Sequence, residues 1–338
     1  MSIVLRPRVS RRAKISALGT YVPPRILNNA DLERLVDTSD EWIMQRLGIR
    51  ERHLVEPGMA TSDMAVEAAR RCLAQRGIPA SQVEVVIVAT VTPDMFFPAT
   101  ACLVQDRLGA KGAWGFDLSA ACSGFLYALQ VGAKLVESGV HSKVLVIGAD
   151  TMSSIIDYTD RTTCVIFGDG AGAVLVEPTE DGEVGLIDFH HEIDGSGAPA
   201  LNMPGGGSLH PSSPETIAAR MHYVHQDGQA VYKYAVRKMV ETSKKLLEAN
   251  NVCADELACF IPHQANQRII HSTAERLGLP LERVVINIDR FGNTTAATIP
   301  LAMQTALDEH RLRRENLILL ASVGAGFTVG ACLLRWEI

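Results

Sequence analysis

Three side chains that together could catalyse a reaction each lie at or just after the end of a stretch that reads as a buried strand in the 338-residue chain. Cys122 lies in SAACSGF after the apolar run AWGFDL, His263 lies in LACFIPHQ, and Asn293 follows VVINIDR. Each residue also precedes a helical pattern. Because ligands of doubly wound sheets collect at the carboxyl ends of strands, the sequence predicts that one cleft holds all three residues.

The setting of Cys122 favours a nucleophile over a packing residue. A helix N-terminus offers unpaired N–H groups and a partial positive charge, so we expect the pKa of this thiol to be lowered. The neighbours Ala120, Ala121 and Gly124 are small and leave room for a substrate. The other cysteines read as packing residues: Cys72, Cys102, Cys164, Cys253, Cys259 and Cys332.

Taken singly, each candidate also has a purely structural interpretation. Cys122 fits a buried packing position, His263 fits a satisfied structural histidine, and Asn293 fits a helix cap. The glycine-rich stretch SVGAGF (322–327) fits an ordinary tight turn, although its backbone N–H groups can also face a developing oxyanion. The combination at strand-to-helix junctions is what favours catalysis.

The elements that must position these residues alternate between apolar β-branched runs and helical patterns, which predicts the α/β class. The segment 194–215 is rich in Gly, Pro and Ser and reads as a long loop. The predicted strands are 14–22, 83–90, 113–118, 143–150, 171–177, 257–264, 284–290, 316–322 and 330–336. The predicted helices are 62–76, 100–108, 123–138, 228–250, 266–277 and 295–307.

Composition excludes several classes of function. Apolar residues make up 47% and charged residues 21%, which excludes a disordered chain, and a net charge of −6 argues against a nucleic-acid partner. No apolar run reaches the length of about 18 residues that a membrane span needs. The basic N-terminal stretch lacks a signal-peptide core, and the seven cysteines form no CxxC pair. These features predict free thiols and a cytoplasmic location.

Several motifs together resemble β-ketoacyl-acyl-carrier-protein synthase III of the thiolase-like superfamily. They are DTSDEWIMQRLGIRERH, DLSAACSGF, DRTTCVIFGDGAGAVL, PHQANQRI, GNTTAATIP and GAGFT, in order along the chain. The resemblance implies a thiolase-like five-layer α-β-α-β-α sandwich built from two similar halves. Residues 1–185 would carry the nucleophilic cysteine and residues 186–338 the catalytic His and Asn. It also implies a homodimer.

The activity implied by the resemblance is a decarboxylating Claisen condensation that initiates fatty-acid synthesis. Cys122 would take an acyl group from acyl-CoA, with acetyl-CoA the expected primer, and malonyl-acyl-carrier protein would follow. His263 and Asn293 would hydrogen-bond the malonyl thioester oxygen and stabilise the enolate left by loss of CO₂. The backbone N–H groups of Cys122 and Ala325 would hold the second oxyanion.

The resemblance also implies how the two substrates bind. Trp42 and Arg161 would sandwich the CoA adenine, since a planar slot between an indole and a guanidinium suits a base. Arg46 and Arg268 match positions near the CoA phosphates, and Arg268 with Lys233 would form part of the carrier-protein docking rim. A solvated surface role is the alternative for each arginine taken alone.

One further position matches the family pattern, Phe97, and two positions differ from it, Ala325 and Glu275. Phe97 would reach across the dimer to bound the partner's acyl pocket, with a core position as the alternative. The turn at Ala325 has alanine where some relatives have a third glycine, which preserves the backbone donor. Glu275 stands where relatives often have lysine, so the usual docking patch is altered.

Two other classes of function compete with this interpretation. A papain-like cysteine hydrolase also uses Cys, His and Asn, but its signature around the cysteine is absent. A non-catalytic acyl-CoA or carrier-protein binder would not need the complete set. We expect no metal, because His222 and His225 lack further ligands, and no cofactor. The sequence leaves open the length of the primer and the choice between a fatty-acid and a polyketide or quinolone starter pathway.

Overall fold

The computed structural model describes residues 12–179 and 184–338. Most of the basic N-terminal stretch lies outside these ranges. The strands are β1 Arg12–Tyr21, β2 Arg25–Asn28, β3 Glu51–Leu54, β4 Val85–Ala89, β5 Trp114–Leu118, β6 Val144–Asp150, β7 Gly170–Thr179, β8 Gly185–Ile193, β9 Leu201–Asn202, β10 His225–Gln226, β11 Cys259–Pro262, β12 Leu317–Gly324 and β13 Thr328–Arg335. The helices are α1 Asn29–Glu33, α2 Asp40–Arg46, α3 Thr61–Arg76, α4 Thr100–Leu108, α5 Gly124–Glu137, α6 Pro214–Ala218, α7 Gly228–Ala249, α8 Gln267–Leu277, α9 Ile288–Phe291 and α10 Thr298–Asp308.

Two sheets carry the fold. The first has the strand order β1-β7-β6-β4-β5, with β4 parallel to both of its neighbours. The second has the order β11-β12-β13-β8, with β11 parallel to β12. Strands β4 and β6 are buried along their whole length, which explains their continuous runs of Val, Ile, Leu and Ala.

Helices cover both faces of each sheet and produce five layers. Helices α5 and α10 pack between the two sheets in one shared core that contains Phe125, Ile299, Val146 and Ile318. Helices α3 and α4 cover the outer face of the first sheet. Helices α7 and α8 cover the outer face of the second sheet. The α/β class and the α-β-α-β-α layering predicted from sequence are confirmed.

The predicted strand 284–290 is wrong. Only Val284 forms a bridge, with Phe260, and residues 288–291 form the short helix α9. The apolar residues of this segment pack into different clusters. One backbone hydrogen bond joins it to β11, from Val285 N–H to the Phe260 carbonyl at 2.9 Å, and side chains hold another part of its backbone. The N–H of Asn287, for example, donates to Gln264 Oε1 at 3.0 Å. Burial therefore produced a strand-like pattern without a strand.

The segment 194–215 is more structured than a simple loop. It contains a 3₁₀ turn at Gly195–Ala200, and strand β9 pairs with β10. The sequence patterns also missed strand β8 and the hairpin of β2 and β3. All three of these strands contain polar or charged residues, which obscures the apolar signal.

All seven cysteines are free thiols, as predicted. Among residues 12–179 and 184–338, no helix combines the length and the apolar character that crossing a membrane requires. The first sheet uses strands between Arg12 and Thr179, and the second uses strands between Gly185 and Arg335. The division into halves at 185 and 186 stays a prediction.

Candidate active site

A single cavity of about 690 Å³ brings the three candidate residues together. Cys122, His263 and Asn293 all line it, although they come from three distant parts of the chain. The three residues are 7%, 2% and 5% exposed, respectively, and the part of the cavity that they line is called its inner end. The three residues predicted to share one cleft therefore do line one cavity, although helix α9 and not a strand precedes Asn293.

Cys122 lies in a tight turn that is held by contacts from two strands of the second sheet, β12 and β13. The turn is a 3₁₀ segment, Ala121–Ser123, that runs directly into α5, and Ala121 adopts a φ of 47°. The hydroxyl of Ser322 donates to the Cys122 carbonyl at 2.9 Å, and that of Thr328 donates to the Ala120 carbonyl at 2.8 Å. A Cβ atom on Gly324 would lie 2.7 Å from the Cys122 nitrogen, so only glycine allows this approach.

The expected lowering of the Cys122 pKa is wrong. Burial, and after it the negative charge of Asp150, raises the pKa of this thiol to about 12, although the N–H group at the turn acts in the opposite direction. Desolvation of a thiolate outweighs the favourable end of one helix here. Cys122 is therefore a protonated thiol at neutral pH, and it must lose its proton as it attacks.

His263 is placed by the end of β11 and is neutral. Its backbone N–H donates to the Ala321 carbonyl at 2.8 Å, which ties it to β12. Its ring Nδ1 lies 2.6 Å from the Thr298 hydroxyl oxygen. Burial lowers the pKa of the imidazole to about 3, so the ring carries one proton at neutral pH.

Asn293 is held with its amide in a defined orientation. Its Oδ1 accepts from the N–H of Thr295 at 2.9 Å, and its backbone N–H donates to the Ile166 carbonyl at 2.9 Å. Because Oδ1 is occupied by the local turn, the NH₂ group is the part of the amide left to donate to a ligand. The neighbouring backbone of Phe167 forms a bridge with Asn293.

Sequence patterns missed the buried carboxylate that joins these elements. Asp150, at the end of β6, accepts from Val91 N at 2.8 Å and from Ala296 N at 3.1 Å. It also accepts from the hydroxyls of Thr90 and Thr92 at 3.0 and 3.1 Å. Burial raises the pKa of Asp150 to about 6 against these hydrogen bonds. The signal in the sequence that could have identified Asp150 is an aspartate at the end of an otherwise apolar strand.

The mouth of the cavity carries the residues predicted to bind CoA. Trp42, Arg46, Arg161 and Arg268 all line it. The guanidinium carbon of Arg161 lies 5.5 Å from the centroid of the Trp42 ring, and Nη1 lies 3.0 Å from the carboxylate of Asp37. A base between two flat groups needs about 7 Å, since each contact takes about 3.5 Å. The predicted adenine slot is therefore closed in this structure.

A second cation–aromatic pair lies beside the mouth. The guanidinium carbon of Arg268 is 5.5 Å from the centroid of Tyr232, and both residues line the cavity. Sequence reasoning missed Tyr232 together with a stripe of α7 residues, Gly228, Val231, Ala235 and Met239. Their spacing of three and four residues was present in the sequence, but it reads equally as a packing face.

Three other predicted site residues, Phe97, Lys233 and Ala325, do not themselves line the cavity of this single chain. Phe97 is 84% exposed and Lys233 is exposed on α7, and neither belongs to the described residues that line the cavity. Ala325 lies between the lining residues Gly324 and Phe327. Glu275 is exposed on α8. Within the described ranges, no cluster of His, Cys, Asp and Glu has the composition of a metal site.

Two family models match the chain in order. The model described as 3-oxoacyl-[acyl-carrier-protein (ACP)] synthase III matches residues 116–195, which include Cys122. The model of the C-terminal part of the same family matches residues 247–336, which include His263 and Asn293.

Known proteins agree with these matches along nearly the whole chain. A β-ketoacyl-[acyl-carrier-protein] synthase III of Koribacter versatilis is 65% identical over 96% of this chain and 98% of its own. The crystal structure of 3-oxoacyl-[acyl-carrier-protein] synthase III from Aquifex aeolicus has a TM-score of 0.89 at 42% identity, covering 96% and 100% of the two chains. The priming β-ketosynthase of the R1128 polyketide pathway has a TM-score of 0.91 at 34% identity, covering 99% of each. The thiolase-like fold is thereby confirmed, and the papain-like alternative is wrong, because the chain belongs to the β-ketoacyl-[acyl-carrier-protein] synthase III family.

Proposed function

We propose that the protein condenses an acyl-CoA primer with malonyl-acyl-carrier protein to give 3-oxoacyl-acyl-carrier protein, CO₂ and free CoA. This initiating step of fatty-acid synthesis is the activity of its family. The single observation that carries the proposal is the shared cavity of Cys122, His263 and Asn293. The cavity also opens between arginines that suit a phosphorylated substrate.

In the first half-reaction, the Cys122 sulfur attacks the thioester carbonyl of acyl-CoA. A bond forms between that sulfur and the acyl carbon, the bond to the CoA sulfur breaks, and the thiol proton ends on the departing CoA. The raised pKa of Cys122 means that proton loss accompanies the attack. The backbone N–H groups of Cys122 and Ala325 are proposed to hold the carbonyl oxygen as it becomes negative.

In the second half-reaction, malonyl-carrier protein occupies the same cavity. The bond between its carboxylate and the α-carbon breaks, CO₂ leaves, and the electron pair becomes an enolate. His263 and Asn293 are proposed to donate hydrogen bonds to the enolate oxygen. The α-carbon then attacks the acyl group on Cys122, the carbon–sulfur bond breaks, and the released thiolate takes a proton from water.

Substrate binding at the mouth is proposed for Trp42, Arg46, Arg161 and Arg268, with Lys233 adding charge for the carrier protein. Adenine would enter between Trp42 and Arg161 after the guanidinium swings away, which its 44% exposed side chain permits. A second copy of the chain is proposed to bury Phe97, which supports a homodimer because Phe96 and Phe97 are 82% and 84% exposed. We further propose a cytoplasmic location, which suits the seven free thiols. We also propose that the protein has no resident cofactor or metal, because the thioesters and Cys122 supply the chemistry.

Intact-protein and peptide mass spectrometry after incubation with acetyl-CoA tests the central step. We expect one acyl group on Cys122 and none on the Cys122→Ala variant. An acyl group on another residue, or none on the wild type with any of a panel of straight and branched acyl-CoAs, would contradict the proposal. The same panel, followed by malonyl-carrier protein, ranks the primers by kcat/KM.

A further inference from the structure

A buried hydroxyl lies against one ring nitrogen of His263. We infer that Thr298 is a positioning residue whose hydroxyl donates to His263 Nδ1 and thereby keeps the imidazole proton on Nε2, where it can be donated into the cavity. This inference rests on the proposed role of His263 at the malonyl thioester. It assigns a function to a residue that has no role in the scheme above.

The argument begins with one hydroxyl proton and two acceptors. Thr298 is 2% exposed and begins helix α10. Its hydroxyl oxygen lies 2.6 Å from His263 Nδ1 and 3.2 Å from the carbonyl oxygen of Thr295. A carbonyl only accepts, and a neutral imidazole nitrogen either donates or accepts. Only one of the two contacts therefore receives the Thr298 proton.

Distances decide between the two arrangements. Hydroxyl donors lie about 2.5–3.0 Å from their acceptors, whereas N–H donors lie about 2.7–3.2 Å from theirs. The 2.6 Å contact fits a hydroxyl that donates to the ring nitrogen, and it is too short for a ring N–H that donates to the hydroxyl. The 3.2 Å contact with Thr295 is too long for a hydroxyl donor.

Because the His263 ring is neutral, this geometry determines which ring nitrogen carries its proton. A ring with one proton must carry it on Nε2 when Nδ1 accepts. Nδ1 faces the buried Thr298, while His263 itself lines the cavity, so Nε2 is the nitrogen available to a bound thioester. The opposite tautomer would place a lone pair against the enolate oxygen and repel it.

The first test reads the tautomer directly. In protein labelled with ¹⁵N-histidine, the His263 signals are identified among the ten histidines as those absent from His263→Ala. At neutral pH we expect a protonated Nε2 and a proton-free, hydrogen-bonded Nδ1. Thr298→Val keeps the shape and lacks the donor, so protonated Nδ1 should appear. A protonated Nδ1 in the wild type would overturn the inference.

The second test separates the half-reactions. We expect Thr298→Val to decarboxylate malonyl-carrier protein about tenfold more slowly, as the loss of one well-placed hydrogen bond predicts. Acylation of Cys122 should be unchanged, and Thr298→Ser should restore decarboxylation because it keeps the hydroxyl. Wild-type decarboxylation by Thr298→Val would refute the inference. If His263→Ala itself decarboxylates normally, the proposed role of His263 fails, while the wild-type spectrum still decides the tautomer.

Discussion

The inner end of the cavity and its mouth hold their residues by different means. Cys122, His263 and Asn293 are less than a tenth exposed, and each is fixed by named hydrogen bonds. At the mouth, Arg161 and Arg268 are exposed and rest on aromatic rings. The inner end is preorganised for charge that develops in a reaction, whereas the mouth can rearrange around a charge that arrives with the substrate.

The physical reason for this difference is solvent. Buried groups interact through a low effective dielectric. One misplaced hydrogen-bond donor there can therefore change the activation free energy by about 3–4 kcal/mol. Exposed cation–aromatic pairs are worth about 0.5–1 kcal/mol, and water screens them. Substitutions at the two ends of the cavity should therefore differ in the size of their effect and in the kinetic constant that they change.

The largest effect is expected at the inner end. His263→Ala and Asn293→Ala each remove a proposed donor to the enolate oxygen, so decarboxylation should fall by about 10²–10³. Acylation of Cys122 should continue, because neither donor is needed for it. Release of CO₂ from labelled malonyl-carrier protein, measured beside intact mass after acetyl-CoA, checks both statements. Normal CO₂ release by both variants would remove these residues from the mechanism.

The next effect concerns the proton on Cys122. Below its folded pKa of about 12, the thiolate fraction rises about tenfold for each pH unit. The rate of alkylation of Cys122 by iodoacetamide should therefore increase steadily from about pH 7 to about pH 9 without reaching a plateau. Peptide mass spectrometry distinguishes it from exposed Cys102 and Cys253, which serve as internal controls. A plateau below about pH 8, under the ordinary pKa of about 8.5 for a free thiol, would restore the activated thiolate expected from sequence.

That correction illustrates what the sequence could and could not predict. The strand-to-helix junctions placed Cys122 and His263 correctly, because the order of elements fixes which strand ends meet. Asn293 reaches the same cavity although helix α9, and not a strand, precedes it. The pKa of Cys122 depends on how completely other elements cover it, including Asp150 from β6, and no local pattern reports that. A helix end is visible in sequence, but desolvation is a property of the packed molecule.

The same limit explains the other differences. The run 284–290 has the apolar content of a strand, yet its side chains enter separate clusters and its backbone bonds to Gln264. The α7 stripe through Tyr232 lines the cavity, although its period equally fits a core face. Thr298 looks like any helix-start threonine until folding brings it to His263. Long-range partners, not local propensities, determine all three roles.

A smaller effect is expected at the mouth. Arg161→Ala and Arg268→Ala should raise the KM for acyl-CoA by about threefold to tenfold with little change in kcat, since each removes one proposed exposed contact with substrate. Arg237→Ala is the matched control, because Arg237 also lies over a tyrosine, at 5.4 Å from Tyr234, but outside the described cavity lining. An equal effect in the control, or a loss confined to kcat, would contradict the assignment.

The smallest effect concerns the carrier protein. Glu275 lies seven residues after Arg268 on α8, so the two share one face of the helix about two turns apart. An acidic residue beside the proposed basic docking rim would repel a partner that the rim attracts, so Glu275→Lys should increase the affinity for malonyl-carrier protein about two- to threefold. Raised salt should shrink the gain, since exposed charges are screened. Glu67→Lys, which makes the same change in net charge on α3 at the opposite outer layer, should have no effect. Equal gains in both variants, measured by titration of carrier protein, would show that overall charge and not this face controls docking.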